Sequence, residues 1–229
     1  MLISGLRRKI KNLYFGSMKE LLIYRPAPAL PSRPPETVVD LCFPILEGDT
    51  LEIDHGHALQ AALVRACPGI ERIPGLGVHT VRGTLGEVQG QLVLTAASEV
   101  RLRLPATEAQ RLEALAGAPL EVAGHRIRLG EPRHQDLKAA SALWARTVTI
   151  HFREPALEAA RAQLAVRFAE AFPWGSFRIY RPRRIRIEGR QLLGFEMAVR
   201  GLEPEPSLEL QRQGFGGRRI LGCGLFVPF

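Results

Sequence analysis

The stretch VVDLCFPILEGDTLEIDHGHALQAALVRA, residues 38–66, contains a strand pattern followed by a helix pattern. From Val39 to Ile45 apolar residues alternate with others, as a strand with one buried face requires. Apolar residues then recur at helical spacing from Leu59 to Ala66, and Pro68 stops that pattern. Asp54 precedes the helix and is predicted to cap it.

The next segment predicts further elements of a β-α-β-β-α-β order, which is the ferredoxin-like arrangement. Strands are predicted near 78–82 and over 100–104, with the run 91–95 between them. In the second of these strands Arg101 and Arg103 alternate with apolar residues. This alternation predicts a strand with a basic outer face.

A second helix and a final strand complete this first half. Thr107 and Gln110 have the spacing of a capping box, and Gly117 is predicted to end the helix. A strand or hairpin is predicted over 120–129. Residues 36–140 are therefore predicted to form one ferredoxin-like domain.

The order of elements starts again after residue 141. The predicted elements are a strand, a helix opened by Pro155 and two further strands, over 147–152, 155–171, 177–188 and 192–200. Where a second helix is due, the segment Glu203–Glu209 is acidic and contains prolines. The sequence thus predicts an α+β fold of two tandem ferredoxin-like (RRM-like) halves, with the second half, 141–229, degenerate.

The first 35 residues lie outside this pattern. Residues 12–18, NLYFGSM, resemble a protease-tag site and a cloning scar. We therefore interpret 1–17 as a tag or linker remnant and 18–35 as a proline-rich entry segment. Without the four basic residues of 1–17, the formal net charge falls from +8 to +4, so overall charge is a modest argument for nucleic acid.

Composition narrows the class of protein. With 46% apolar and 24% charged residues, the chain has the profile of a soluble globular protein. No apolar run approaches the roughly 18 residues of a membrane span, and no secretory signal is present, so we expect a cytoplasmic protein without a membrane partner. Three scattered cysteines are too few for a disulfide framework or a cysteine-based zinc site. No metal or other cofactor is expected.

The densest basic stretch, 178–190, holds six arginines against one acid, Glu188. Because Ile185 and Ile187 alternate with arginines, the strand is expected to bury the isoleucines and display the arginines. Arginine forks grip phosphate and stack on bases, whereas a solvated strand face is the alternative. The density favours a polyanion, and the predicted RNA-binding residues are Arg178, Arg181, Arg183, Arg184 and Arg186.

A glycine-rich stretch, GFGGRRILGCG, occupies residues 214–224. Its glycines allow the backbone to approach a ligand closely and to point N–H groups at an anion. It lacks the Gly-Lys-Ser/Thr ending of a P-loop, and a tight structural turn is the alternative. The two adjacent arginines favour an RNA-backbone cradle, with predicted contacts from Gly214, Gly216, Gly217, Arg218, Arg219, Gly222 and Gly224.

Two histidines, His55 and His57, stand at the predicted start of the first helix. A His-x-His metal pair needs further ligands, and no carboxylate or cysteine cluster has suitable spacing. One alternative is that both rings are simply exposed in the first turn of the helix. Proton transfer is the remaining functional role, for which an imidazole has a suitable pKa. Helical phase places His55 near the apolar stripe and His57 on the opposite face, which leaves both open as catalytic residues. The other histidines, His79, His125, His134 and His151, are isolated and are predicted to be structural or solvated.

Several stretches together resemble a known family. The matching stretches are VVDL (38–41), IDHGHAL (53–59), LRLP (102–105), LAG (115–117), ARTV (145–148), SLELQ (207–211) and GCGLFVP (222–228). Over 36–229 the chain is similar to the CRISPR-associated endoribonucleases that process pre-crRNA, the Cas-six family, particularly its MYXAN subtype.

This resemblance implies an antiviral-defence nuclease that binds CRISPR repeat RNA and cleaves it without a metal. The ribose 2′-OH attacks the adjacent phosphorus, which leaves a 2′,3′-cyclic phosphate and a 5′-OH and produces mature crRNA. His55 matches the family's histidine at the start of the first helix and is expected to be catalytic. His57 stands where relatives often have an aromatic residue, so it is expected to orient the substrate or to act as the second proton-transfer group.

Two alternatives remain beside the nuclease. One is a non-catalytic subunit that only binds repeat RNA within a CRISPR effector complex, and the other is a ferredoxin-like ligand-binding or assembly protein unrelated to RNA. The paired histidines favour the nuclease. The expected partners are pre-crRNA or crRNA and other subunits of an effector complex, with the chain itself a monomer or weak homodimer.

Overall fold

A computed structural model describes residues 37–152, 156–187 and 189–229. The expected tag remnant 1–17 and the proline-rich segment 18–35 lie outside the described residues, as do Pro155 and Glu188. Within the described residues, no helix is long and apolar enough to cross a membrane.

The first half is built on a sheet in which every pairing is antiparallel. Its elements are β1 (Val38–Glu47), β2 (Thr50–Glu52), α1 (Gly56–Ala66), β3 (Gly77–Val78), β4 (Thr84–Leu85), β5 (Gln91–Val93), β6 (Glu99–Pro105), α2 (Ala106–Leu112), β7 (Pro119–Val122), β8 (His125–Leu129) and β9 (Arg133–Asp136). The main sheet has the order β3-β6-β1-β8-β7, and β9 also pairs with β1. The short strands β2, β5 and β4 form a separate small sheet.

The second half repeats the plan. Its elements are β10 (Ala142–Val148), α3 (Leu157–Ala171), β11 (Ser176–Ile187), β12 (Arg190–Arg200), α4 (Pro204–Gln213) and β13 (Val227–Pro228). The sheet order is β11-β12-β10-β13. In the second half the first strand, β10, lies between β12 and the last strand, β13, with β11 at the edge. In the first half β1 likewise lies between β6 and β8, with β3 at one edge, and the prediction of two ferredoxin-like halves is confirmed.

The second half is degenerate, as predicted, in its last strand β13, which has only two residues, but the expectation that its second helix is lost is wrong. Residues 204–213 form α4, although Glu203–Glu209 contains prolines and acids. Pro204 begins the helix, where a backbone N–H has no helical partner and proline is tolerated. One face of α4 is buried through Ser207, Leu210 and Gln211.

The predicted helix caps differ from those observed. Residue 55 precedes α1 as its cap, and the Asp54 carboxylate instead accepts a hydrogen bond from the Arg186 N–H at 2.8 Å. Helix α2 begins at Ala106, which places Thr107 inside the first turn rather than at the cap. Both predictions failed because cap position depends on where the preceding strand ends, which tertiary packing decides.

Each half has its own apolar core. In the first, β1 buries Leu41 and Phe43 completely, as predicted, against Leu59 and Leu63 of α1. The prediction of a single buried face is wrong, because Asp40 and Cys42 on the opposite face are buried too. In the second, the α3 stripe buries Phe168 and its helical neighbours against β10 and β12. Each fully buried side chain of this size contributes about 1.5–3 kcal/mol to folding.

The predicted basic outer face of β6 is wrong, because Arg103 is 1% exposed. Asp40 and Arg103 are direct cross-strand partners, and the guanidinium donates to both carboxylate oxygens at 2.7 and 2.8 Å. Its remaining nitrogen donates to the backbone oxygens of Gln211 and Phe226 in the second half. The face expected to meet solvent is therefore covered by the other half of the chain.

We expect Arg103→Met to lower the free energy of unfolding by about 3–5 kcal/mol, because it leaves the Asp40 carboxylate buried without its principal partner. The matched control is Arg128→Met, which removes an exposed ion pair with Glu47 and should cost less than about 1 kcal/mol. Urea titrations followed by circular dichroism measure both. Equal losses in the two variants would contradict a special role for Arg103.

Candidate nucleic-acid interface

His55 is completely buried at the junction of β2 and α1. Its Nδ1 donates to the Glu52 carbonyl at 2.6 Å, and its Nε2 accepts the Val81 N–H at 2.9 Å. An N–H can only donate, so this pairing fixes a neutral tautomer. Burial lowers the pKa of His55, which keeps the ring uncharged. Both ring nitrogens are therefore hydrogen-bonded to the backbone, and the imidazole connects the start of α1 to the segment before β4.

The start of α1 meets the second half directly. A Cβ on Gly56 would lie 2.7 Å from the Leu221 carbonyl oxygen, so the glycine permits the glycine-rich loop to pack on the first helical turn. On the other side, Asp54 holds the backbone of β11 through Arg186. The predicted histidine, arginine and glycine segments are therefore brought together at one junction.

A cleft of about 270 Å³ opens between these segments. Its lining residues are Ile53, Asp54, Gly56, Thr80, Arg146, Thr147, Pro182, Arg183, Arg184, Ile185, Leu221 and Gly222. Three of them are arginines, supplied by β10 and β11, and a single carboxylate opposes them. The cleft thus has the charge to attract a phosphodiester backbone.

Two of the cleft arginines, Arg146 and Arg183, are partly buried, and Arg183 also lies 3.9 Å from the Glu196 carboxylate. Burial and the neighbouring Arg183 lower the pKa of Arg146, and burial lowers the pKa of Arg183. The buried Nε of Arg183 finds no hydrogen-bond partner among the described residues. A buried donor normally has a partner, and a phosphate oxygen in the cleft would supply one.

A second cavity, of about 350 Å³, continues the cleft along the junction and shares Thr80, Arg146 and Gly222 with it. His79 and Arg82 are among the residues that line this extension. Burial, with nearby arginines, lowers the pKa of His79 well below its usual value, so this ring is neutral. Its Nε2 also lacks a hydrogen-bond partner within the described part of the chain.

The arginine strand is placed largely as the sequence predicts. In β11 Ile185 is buried, whereas Arg184 and Arg186 are exposed. Arg181 is exposed but pairs with Glu196 at 2.9 Å, and the Arg178 guanidinium lies 5.8 Å from the Tyr180 ring centre. Arg183 and Arg184 face the cleft, so these two are the best placed of the five predicted arginines.

The glycine-rich loop serves mainly to close the second half onto the first. Gly214, Gly222 and Gly224 are buried, and the Gly224 N–H donates to Thr147 at 2.7 Å. Arg219 is also committed, because its guanidinium donates to the carbonyl oxygens of Gln213, Gly75 and Arg212.

The exposed part of this loop is its tip. The tip consists of Gly216, Gly217 and Arg218. A ligand can reach these three residues without rearrangement of the loop. The seven predicted loop contacts thus divide into a buried closing segment and this exposed tip.

No group of three or more His, Cys, Asp or Glu side chains among the described residues is arranged to hold a metal ion. The cysteines Cys42, Cys67 and Cys223 are free thiols. Burial raises the pKa of Cys42 to about 11 and that of Cys223 to about 12, which makes both poor nucleophiles at neutral pH.

Comparison with known proteins identifies the family. A family model described as "Cas6 Crispr" matches residues 39–229. The chain is 38% identical over 191 residues to the "CRISPR-associated endonuclease Cas6" of Myxococcus xanthus, which covers 83% of this chain and 81% of that protein. The chain belongs to the Cas6 family. The resemblance drawn from the sequence is thereby confirmed.

Solved Cas6 structures share the fold. A structure titled "CRISPR associated protein Cas6" aligns with a TM-score of 0.53 and 12% identity over 85% of this chain and all of the other. A Cas6-related protein from Pyrococcus furiosus gives 0.53 at 12% identity, covering 84% and 98%. A RAMP protein titled as "binding different RNA substrates" gives 0.54 at 15% identity, covering 83% and 98%. At these identities the likeness establishes the fold of this Cas6 chain.

Sequence reasoning missed the cleft contribution of Arg146 and the placement of His79. Two signals point to Arg146: it belongs to the ARTV stretch that resembles the family, and it is a single charged residue in the apolar strand β10, where an unpaired charge is costly. The setting of His79 depends on arginines from β6 and the glycine-rich loop, which its own stretch of sequence does not show.

We expect Gly56→Ala to lower the free energy of unfolding by roughly 1–3 kcal/mol, because the new methyl group collides with the Leu221 carbonyl. Alanine is by itself the better helix former by about 1 kcal/mol, so helix propensity alone would make Gly56→Ala stabilising. A loss of stability would therefore point to the collision. The control is Gly217→Ala, where a Cβ meets nothing within 4 Å, and its change should stay within about 0.5 kcal/mol. A stabilised Gly56→Ala protein in thermal or urea unfolding would contradict this contact.

Proposed function

We propose that this Cas6 protein cleaves CRISPR repeat RNA in the cleft between its two halves, without a metal ion, and so produces mature crRNA. The observation that best supports this proposal is that Arg146 and Arg183 line the same cleft as the start of α1. The buried Nε of Arg183 also has no hydrogen-bond partner among the described residues. Family membership supports the reaction class, since the Myxococcus relative is named an endonuclease. The alternative of a non-catalytic RNA-binding subunit is less favoured on that ground.

The proposed reaction is an internal transfer at one phosphodiester. The ribose 2′-oxygen loses its proton and attacks the adjacent phosphorus, and the bond from phosphorus to the 5′-oxygen breaks as that oxygen gains a proton. The products are a 2′,3′-cyclic phosphate and a 5′-OH. Arg146 and Arg183 would hold the phosphate in line and stabilise the added negative charge of the transition state.

For proton transfer we propose His57 in preference to His55. His55 is committed to two backbone hydrogen bonds, and its release would cost both of them and the packing of α1. His57 is partly exposed on the first turn of α1 and directly follows Gly56, which lines the cleft, although the His57 side chain is not itself among the lining residues. His55 then acts as a positioning residue that sets the start of the helix. We further propose that the protein works in the cytoplasm, alone or with other effector subunits.

The test of the reaction is cleavage of the host's repeat RNA in excess EDTA, read on a denaturing gel. We expect full activity in EDTA, and complete loss when the nucleotide 5′ of the cut carries 2′-deoxyribose. Cutting of the deoxy substrate would mean a different nucleophile, and loss of activity in EDTA would refute the metal-free reaction. Binding without any cleavage would favour the non-catalytic subunit.

His57→Ala should lower the single-turnover cleavage rate constant by about a hundredfold or more, the usual size of an acid–base contribution, with little change in RNA affinity. His134→Ala is the control, because that exposed ring lies on β9, not on α1, and pairs with Glu113. Wild-type rates in His57→Ala would refute the assignment. His55→Ala is expected to lose stability first, visible as a lower Tm.

Replacing Arg146 and Arg183 together by glutamine should weaken RNA binding and flatten its salt dependence. For a single-stranded contact, each lost phosphate interaction reduces the slope of log affinity against log salt by about 0.7. Arg126→Gln is the control, since that arginine is exposed on β8, outside both cavities. Filter binding from low to high salt measures the slopes, and an unchanged slope in the double variant would place the phosphates elsewhere.

A further inference from the structure

A further cavity of the second half lies outside the cleft. It has a volume of about 580 Å³ and lies between the end of β10, the start of β12 and the tip of the glycine-rich loop. The residues that line it are Thr149, Ile150, His151, Phe152, Leu157, Arg184, Gln191, Leu192, Leu193, Gly217 and Arg218. This volume falls in the range of pockets that bind small organic groups.

The cavity has an apolar interior and a cationic rim. Ile150, Leu192 and Leu193 are half-buried within it, whereas Arg184 and Arg218 are exposed. The aromatic side chain is Phe152, half-buried and set edge-to-face on Phe195 at 6.0 Å between ring centres. An aromatic ring near two arginines suits a nucleotide, because any base can stack on the ring and the arginines can bind its phosphates.

Backbone hydrogen bonds fix the walls of this cavity. The Gly217 N–H donates to the Thr149 carbonyl at 3.0 Å, and the Thr149 hydroxyl donates to Leu193 at 2.7 Å. Arg218 has a φ of +63°, a left-handed conformation that costs energy in a residue with a side chain. The Leu221 and Cys223 N–H groups, which donate to its carbonyl, hold it there. Such strain is typically retained at functional positions.

The cavity is continuous with the cleft through Arg184, which lines both. Its Nη1 donates to the Gln191 amide oxygen at 3.1 Å, and this contact steadies the side chain at the boundary. An RNA strand held in the cleft needs to cross only this arginine before its next base reaches the cavity. Charge complementarity and this continuity both favour RNA as the occupant.

We propose that this cavity binds one unpaired nucleotide of the RNA that is cut in the cleft. Its base stacks on Phe152, and the phosphates on either side of it contact Arg184 and Arg218. The inference rests on the proposed function, because it takes the same RNA as the ligand. It adds a site that reads a single base next to the scissile bond and thereby fixes the position of cleavage.

The test is a set of repeat RNAs, each with one abasic nucleotide, bound to the wild-type protein and to Phe152→Leu. One unpaired position should lower wild-type affinity by about tenfold or more, the usual size of one base stacked on an aromatic ring. Phe152→Leu alone should lose a similar factor. When Phe152→Leu is combined with that abasic RNA, the affinity should fall no further, since both changes remove the same contact.

Leucine keeps an apolar side chain against Phe195, and an unchanged Tm checks the fold. Phe229→Leu is the control: this exposed ring stacks on Arg200 outside the cavity, and its variant should keep the full abasic effect. The proposed nucleotide site would be refuted, and the proposed function left standing, by either of two results. One is that the losses of affinity from Phe152→Leu and from the abasic RNA multiply when the two are combined. The other is that no abasic position weakens the binding of an RNA that is bound and cut. Failure of the wild-type protein to bind or cut repeat RNA would overturn the proposed function, and the cavity with it.

Discussion

One buried guanidinium, that of Arg103, connects the two halves of this protein. It neutralises Asp40 within the first sheet and donates to two backbone oxygens of the second half. A charge so deeply buried is tolerated only when every donor has an acceptor, so the two halves must meet at one fixed separation. The geometry of the junction, and thus of everything that lies along it, depends on this interaction.

The cleft follows from that junction. The start of α1 and the strand β11 belong to different halves, yet Asp54 bonds to β11 and Gly56 packs on the glycine-rich loop. Loop glycines are buried where backbones cross, which leaves only its tip to meet a ligand. The charge of Arg183 lowers the pKa of Arg146, and a phosphate bound between them would relieve this repulsion. Family membership and geometry therefore agree on RNA as the ligand.

Local pattern predicts most of the fold and only part of the site. Alternation along β1 and the stripe on α3 depend on neighbours in sequence, and both elements were placed correctly. The pattern of β6 could not predict the burial of Arg103, because the acceptors of its hydrogen bonds lie 63 to 123 residues away along the chain. The same limit applies to His55: the motif marks the residue, but only the Val81 N–H, 26 residues on, shows that the ring holds backbone. Helix α4 was missed because prolines that begin a helix resemble prolines that prevent one.

The most direct test of the account is the structure of the protein bound to repeat RNA that carries 2′-deoxyribose 5′ of the cut. We expect the scissile phosphate in the cleft between α1 and β11, with one of its oxygens within hydrogen-bond distance of the Arg183 Nε. A scissile phosphate bound on another face, for example across the exposed surface of β7 and β8, would contradict it.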